Sequence, residues 1–232
     1  MTKMRKQTVR VALMAVSVAM LVTAGAIVAG NMGFKLTIEM EAAGTAPSAS
    51  TSGTNYIALP YRAKTGVNTA RDLFLDIGTD RIQFLNQHRK IDDGFEVYTF
   101  GGGTLPPDGW NLKAGEGYIA KIGGSNKSYL VPGTHIPDPV IDLIGGSNPN
   151  SASGTNYFAP PYHAVSATAR ELFLEIGGDV QFLNQHRKID DGFEVYTFGG
   201  GTLPPDGWNI KAGEALIVKV GGSGQRYIPL HY

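Results

Sequence analysis

The chain predicts an α+β, mainly β protein: two tandem homologous modules of about five short antiparallel strands and one short helix each, preceded by an N-terminal strand. Three observations predict it. Residues 83–111 recur letter for letter as residues 181–209, 29 residues at an offset of 98, and the likeness extends on both sides. Within each copy, short β-type runs are separated by Gly, Pro and Asp clusters, and the joins are too short for parallel crossovers. One stretch per copy switches to helical spacing.

The elements follow in chain order. Lys3, Arg5, Lys6 and Arg10 form a basic start, and residues 11–30 carry no charge. A positive n-region, an apolar run and small residues at its end (Ala24-Gly25-Ala26, Val28-Ala29-Gly30) read as an export signal. Kept uncleaved, twenty apolar residues just suffice as a membrane anchor. Either way, the positive-inside rule puts the body outside the cell. A type IV prepilin reading of Gly33-Phe34 fails, because there the apolar helix follows the processed bond and here it precedes it. Phe34, Leu36, Ile38 and Met40 alternate with Lys35, Thr37 and Glu39, the pattern of a half-buried strand. Residues 42–53 (AAGTAPSASTSG) have linker composition. A strand on a tether must find a hydrogen-bonding mate in its own sheet or in a neighbour's.

In the first module, Tyr56–Leu59 is a short strand ended by Pro60. Ala70, Leu73, Phe74 and Ile77 sit at helical spacing between a Thr69 cap and a Gly78 stop. Arg81–Arg89 and Phe95–Phe100 are strands flanking an Asp92-Asp93-Gly94 turn. Gly101–Gly103 and Pro106–Gly109 form a loop, and Gly117–Ile122 and Ser128–Val131 are two more strands. The predicted organisation is residues 1–30 signal peptide or anchor, 31–52 strand and linker, 53–136 module 1, 137–152 linker and 153–232 module 2. Val140–Ile144, inside that second linker, reads as a short strand packed between the modules.

Composition excludes several classes. Twenty Lys+Arg against twenty Asp+Glu leave no net charge, unlike a nucleic-acid binder. No cysteine means no disulfide frame and no thiolate metal site. Cleavage after Gly30 removes four basic residues and leaves a mildly acidic body at −4. His88, Asp92 and Asp93, repeated as His186, Asp190 and Asp191, are competent metal ligands, but Asp in a tight turn is favoured for backbone reasons. Glu96 with Glu116, and Glu194 with Glu214, are carboxylate pairs whose spacing does not argue for a glycosidase cleft. No nucleophile elbow or phosphate loop occurs. Trp110, Trp208 and Tyr118 are the candidate ligand-stacking residues, weighed against their use as core fillers in a small module.

Gly-Thr-Asn-Tyr-x-x-x-Pro-Tyr at 53–61 and 154–162, the Ala-x-x-Leu helix, and Lys-Ala-Gly-Glu-Gly-Tyr-Ile-Ala-Lys at 113–121 together resemble repeats of exported bacterial surface proteins. In those, the export segment is often followed by a stretch like Gly33-Phe34-Lys35. The resemblance implies a surface location and carries no activity or catalytic residue. It departs at Glu214-Ala215-Leu216, where the first module has Glu116-Gly117-Tyr118.

The sequence therefore reads as an exported cell-surface structural protein rather than an enzyme, with no cofactor and no metal. It is expected to be a filament subunit whose assembly strand (Phe34, Leu36, Ile38, Met40) is donated head-to-tail to a neighbouring copy. A carbohydrate-binding or adhesion module is the alternative. The expected partners are further copies of the chain or a surface glycan, not nucleic acid, and a membrane only through residues 11–30.

Overall fold

The computed structural model describes residues 34–44, 52–59, 62–63, 66–101, 107–134, 136, 139–199 and 205–230. The expected signal or anchor, residues 1–30, lies outside them. The described residues form thirteen strands and two helices. Residues Lys35–Tyr232 make one compact unit. The prediction of a mainly β, two-module α+β fold holds.

In the first module, β2 (Thr54–Ala58), β4 (Ile82–Arg89), β5 (Gly94–Tyr98) and β6 (Gly117–Ile122) form an antiparallel sheet in the order β2-β6-β4-β5. In the second, β9 (Thr155–Phe158), β10 (Val180–Arg187), β11 (Gly192–Tyr196) and β12 (Leu216–Val220) repeat it as β9-β12-β10-β11. Each hairpin turns at the predicted Asp-Asp-Gly. Asp93 and Asp191 take φ of 53° and 52°, and Asp92 Oδ1 accepts the Gly94 N–H at 3.0 Å. Asp tolerates this left-handed turn position better than most side chains.

The helices α1 (Ala70–Ile77) and α2 (Ala169–Ile176) begin at capping boxes. Thr69 Oγ1 accepts the Asp72 N–H while Asp72 accepts the Thr69 N–H at 3.0 Å, which satisfies two otherwise orphaned donors. Each helix buries its apolar stripe. In the second module Leu172 and Ile176 pack into one core with Leu183, Tyr196, Trp208, Leu216, Val218 and Tyr227.

The strand predicted at the front of the chain is present as β1 (Phe34–Met40). Its mate is β7 (Lys127–Thr134) of the same chain, in a sheet ordered β1-β7-β3 with β3 at Arg62–Ala63. Within the one chain, the front strand thus has its hydrogen-bonding mate in its own body, the first of the two places a tethered strand can find one. Leu36, Ile38 and Met40 are buried, and burying each such side chain contributes roughly 1.5–3 kcal/mol. The short strand read inside the second linker is β8 (Ile141–Ile144), and it pairs with β13 (Gly224–Tyr227) as β1 pairs with β7. Each module therefore opens with a strand that returns to pair with its last one.

The Asn of each Gly-Thr-Asn-Tyr run fixes that opening strand. Asn55 Oδ1 accepts the Glu41 N–H at 2.8 Å, and its Nδ2 donates to the carbonyls of Glu41 and Gly53, both at 2.9 Å. Asn156 makes the same three bonds to Ile144 and Gly154, all at 2.9 Å. A side-chain amide here completes a strand pairing that no backbone reaches, so both residues are buried without cost in unmade hydrogen bonds.

Candidate functional site

The chemistry-bearing residues gather where the modules meet. The junction is built twice, by a pseudo-twofold relation. The Ala58 N–H donates to the Gly213 carbonyl at 2.9 Å, and the Ala159 N–H donates to the Gly115 carbonyl at 3.0 Å. The Lys-Ala-Gly-Glu turn of each module thus lies against the second strand of the other. The opening strands reach across as well. A Cβ on Gly213 would fall 2.8 Å from Ile38 Cγ1 and from Leu36 Cδ2, and one on Gly115 would fall 3.2 Å from Ile141 Cδ1. Glycine is what lets the strand of one module pass so close to the turn of the other.

A ladder of rings fills the space between the sheets. His88 stacks on Tyr157 at 4.7 Å, Tyr157 on Tyr56 at 6.0 Å, and Tyr56 on His186 at 4.5 Å, with Phe95 and Phe193 edge-on to the two tyrosines. Burial lowers both imidazoles below their usual value, more strongly than Asp93 and Asp191, each 3.4 Å from an Nε2, raise them. Burial and the charge of Asp191 push the Tyr56 hydroxyl up to about 12. Burial raises the Tyr157 hydroxyl as well, so all four rings are neutral at neutral pH, as close stacking in a partly dry interface requires.

Two clefts flank this ladder. The first, about 320 Å³, runs between β1, β2 and the 211–214 turn and contains Glu41, Asn55, Tyr56, Lys188, Lys211 and Glu214. The second, about 310 Å³, runs between β8, β9 and the 113–116 turn and contains Lys90, Lys113, Glu116, Ile144, Asn156 and Tyr157. They correspond position by position. The carboxylate at the turn is braced in both: Gln87 Nε2 donates to Glu116 at 3.0 Å, and Gln185 Nε2 donates to Glu214 at 2.9 Å.

The sequence-derived candidates fall out as follows. Trp110 and Trp208 are buried and meet Tyr98 and Tyr196 edge-to-face at 6.5 and 6.4 Å, so they are core residues and not stacking platforms. Tyr118 is 1% exposed, and its hydroxyl accepts the Lys113 N–H at 2.8 Å while donating to Glu116 at 3.2 Å; it offers no face to a ligand. Leu36, Ile38 and Met40 lie buried in their own chain, and Leu36 and Ile38 meet the Gly213 turn. No group of three metal-ligating side chains is assembled among the described residues. Each His meets one Asp, while Asp92 and Asp190 pair instead with Arg89 and Arg187 at 2.6 and 2.7 Å. Glu116 and Glu214 reach the clefts, whereas Glu96 and Glu194 are not among their lining residues. Ser52 donates to Asp191 at 2.8 Å with the carboxylate between it and His186, so no imidazole touches its hydroxyl.

Sequence reading missed the clefts because each takes half its wall from either module. The one available sign is the match of Ile38-Glu39-Met40-Glu41 to Ile141-Asp142-Leu143-Ile144, which marks both as opening strands. No family model, no curated protein and no solved structure matches the chain.

Proposed function

We propose that the chain is an exported structural protein of the cell surface, a filament subunit whose two modules act as one rigid body and whose neighbours are joined by exchange of β1. The observation that carries this reading is the seat of β1. It is an end strand of its sheet, it begins the described body, and it is followed by the small and polar residues 42–53. A neighbour's β1 fits the same seat on β7 with the same contacts. Exchange of an identical element costs little, and when donor and acceptor sites do not close on each other it propagates. The export pattern of residues 1–30 supports a place at the cell surface.

Deleting residues 31–41 is a poor test, because it removes three buried side chains from the first module. A crosslink is better. Glu39 Oε2 accepts the Ser128 hydroxyl at 2.5 Å across β1 and β7, and the chain has no native cysteine. The double variant Glu39→Cys/Ser128→Cys, oxidised and run denatured without reductant, is expected to give a ladder of covalent multimers. A single monomer band from material that still assembles overturns strand exchange.

The alternative, a carbohydrate-binding or adhesion module, loses Trp110, Trp208 and Tyr118 as platforms. Its support moves to the two clefts.

A further inference from the structure

The clefts differ at one position that decides what they hold. In the first, the Lys188 ammonium donates to the Glu39 carbonyl at 3.0 Å and faces the Glu41 carboxylate at 3.7 Å. In the second, Lys90 donates to the Asp142 carbonyl at 3.4 Å, the matching contact. The residue matching Glu41 is Ile144, as the twin Asn55 and Asn156 bonds establish. The Asp142 carboxylate is turned to Arg226 at 3.4 Å. Among the described residues no carboxylate comes within ion-pair distance of Lys90. Its cleft otherwise keeps the full set of groups, including the braced Glu116 carboxylate, the Lys113 side chain and the Tyr157 ring.

We infer that the Lys90 cleft binds an acidic sugar unit, its carboxylate taking at Lys90 the place that Glu41 takes at Lys188. Glu41 is a built-in occupant that shows where an anion sits in this geometry. A simple inorganic anion suits the second cleft poorly, because Glu116 lies within it. A uronic acid suits it, since its hydroxyls donate to Glu116 while its carboxylate faces the ammonium. A volume of about 310 Å³ stands at the small end of the range for small-molecule sites, which fits one sugar ring. Burial pulls the Lys90 ammonium below its usual value, more strongly than the charges of Glu116 and Asp142 raise it. The inference does not rest on filament assembly, and the crosslinking result leaves it untouched.

The test is a nuclear magnetic resonance titration of the full chain with methyl β-D-glucuronide, with methyl β-D-glucoside as the neutral control. Wild-type protein is expected to show saturable shifts at Gly115 and Asn156 with a Kd of about 1 mM, and at least tenfold weaker response to the glucoside. Lys90→Met and Ile144→Glu should each weaken glucuronide binding at least tenfold, the second by importing the internal carboxylate. Glu41→Ile should open a second set of shifts at Asn55 and Gly213. Thermal unfolding of each variant separates lost binding from lost fold, and Lys90→Met, on a side chain at the cleft wall, keeps the test alive if Ile144→Glu does not fold. No saturable binding, equal response to the two glycosides, or unchanged affinity in a folded Lys90→Met protein overturns the inference.

Discussion

Gly117 and Ala215 hold the same place in the two modules, and they face each other. A Cβ on Gly117 would stand 2.7 Å from the Cβ of Ala215 and 3.1 Å from the Phe158 nitrogen. Two alanines do not fit at this point of the pseudo-twofold junction. Away from it, β4 with β5 and β10 with β11 keep the same register and differ in one residue, Ile82 against Val180. The difference between the modules is therefore concentrated where one copy touches the other or closes its own end. Glu41 against Ile144 and Tyr118 against Leu216 belong to the same class. A duplication begins with two equal surfaces, and a compact pair needs some positions to become unequal.

The largest expected effect breaks the shared device rather than the difference. Asn156→Ala leaves the Ile144 N–H and carbonyl and the Gly154 carbonyl without the side chain that pairs them. A loss of about 3 kcal/mol is expected, since buried groups left unpaired cost roughly 1–3 kcal/mol each. Asn55→Ala removes the same bonds but frees a strand end next to the polar stretch 42–53, where water can replace them. It should cost about 2 kcal/mol on the same scale. Denaturant midpoints at constant slope report both numbers. Equal losses, or losses below about 1 kcal/mol, would contradict the view of the two asparagines as staples of unequal leverage.

Next is the junction itself. Gly117→Ala is expected to cost about 2 kcal/mol, within the usual range for overpacking. Ala215→Gly alone should cost about 0.5–1 kcal/mol from backbone freedom. The double exchange Gly117→Ala/Ala215→Gly moves the methyl group to the other side of the axis and should recover most of the loss. That gives a coupling of about 1–2 kcal/mol in a double-mutant cycle. Strict additivity would mean that Phe158 and Tyr157, and not Ala215, set the limit.

How much of this was written legibly in the sequence depends on range. β4, β5 and β6 were readable because alternation and turn residues are local. α1 was readable because Thr69, Leu73 and Gly78 state its start, face and end within ten residues. The membership of β1 was not readable, since a stretch of small residues separates it from the strands it serves. β8 was readable as a short strand, but its pairing with β13 was not, because its four residues lie amid Pro, Gly and Asn and its mate is about eighty positions away. The role of Asn55 was not readable, because a polar side chain replacing a backbone pairing has no local pattern. The aromatic residues were visible as a set, but only the fold sorts them into Trp110 and Tyr118, which are interior, and Tyr56 and Tyr157, which join the modules. The clefts needed Lys90 and Ile144 in one place, 54 positions apart and in different modules.

The smallest effect probes a feature the modules share, the paired imidazoles of the ring ladder. His88 meets Asp93 from the turn of its own hairpin, the neighbouring charges of Asp92 and Lys90, and the Tyr157 ring from the other module. His186 meets Asp191, Lys188, Glu214 and the Tyr56 ring. Burial outweighs the carboxylates at both, so each imidazole titrates lower in the folded chain than in the unfolded one. The unfolded chain then binds more protons, and stability rises with pH. The contribution is complete above the ordinary imidazole value of about 6.5 and is lost as the pH falls from there through the folded value. Carboxylates titrate near pH 4, so denaturant midpoints measured between about pH 7.5 and 5.5 isolate this slope. His88→Phe/His186→Phe keeps a ring in each stack and removes both protonation sites, leaving three other histidines as background. The double variant is expected to lose most of the slope while matching or exceeding wild-type stability at pH 5.5. An undiminished slope would place the acid sensitivity outside the ladder, and the junction would then not be held together by keeping His88 and His186 uncharged.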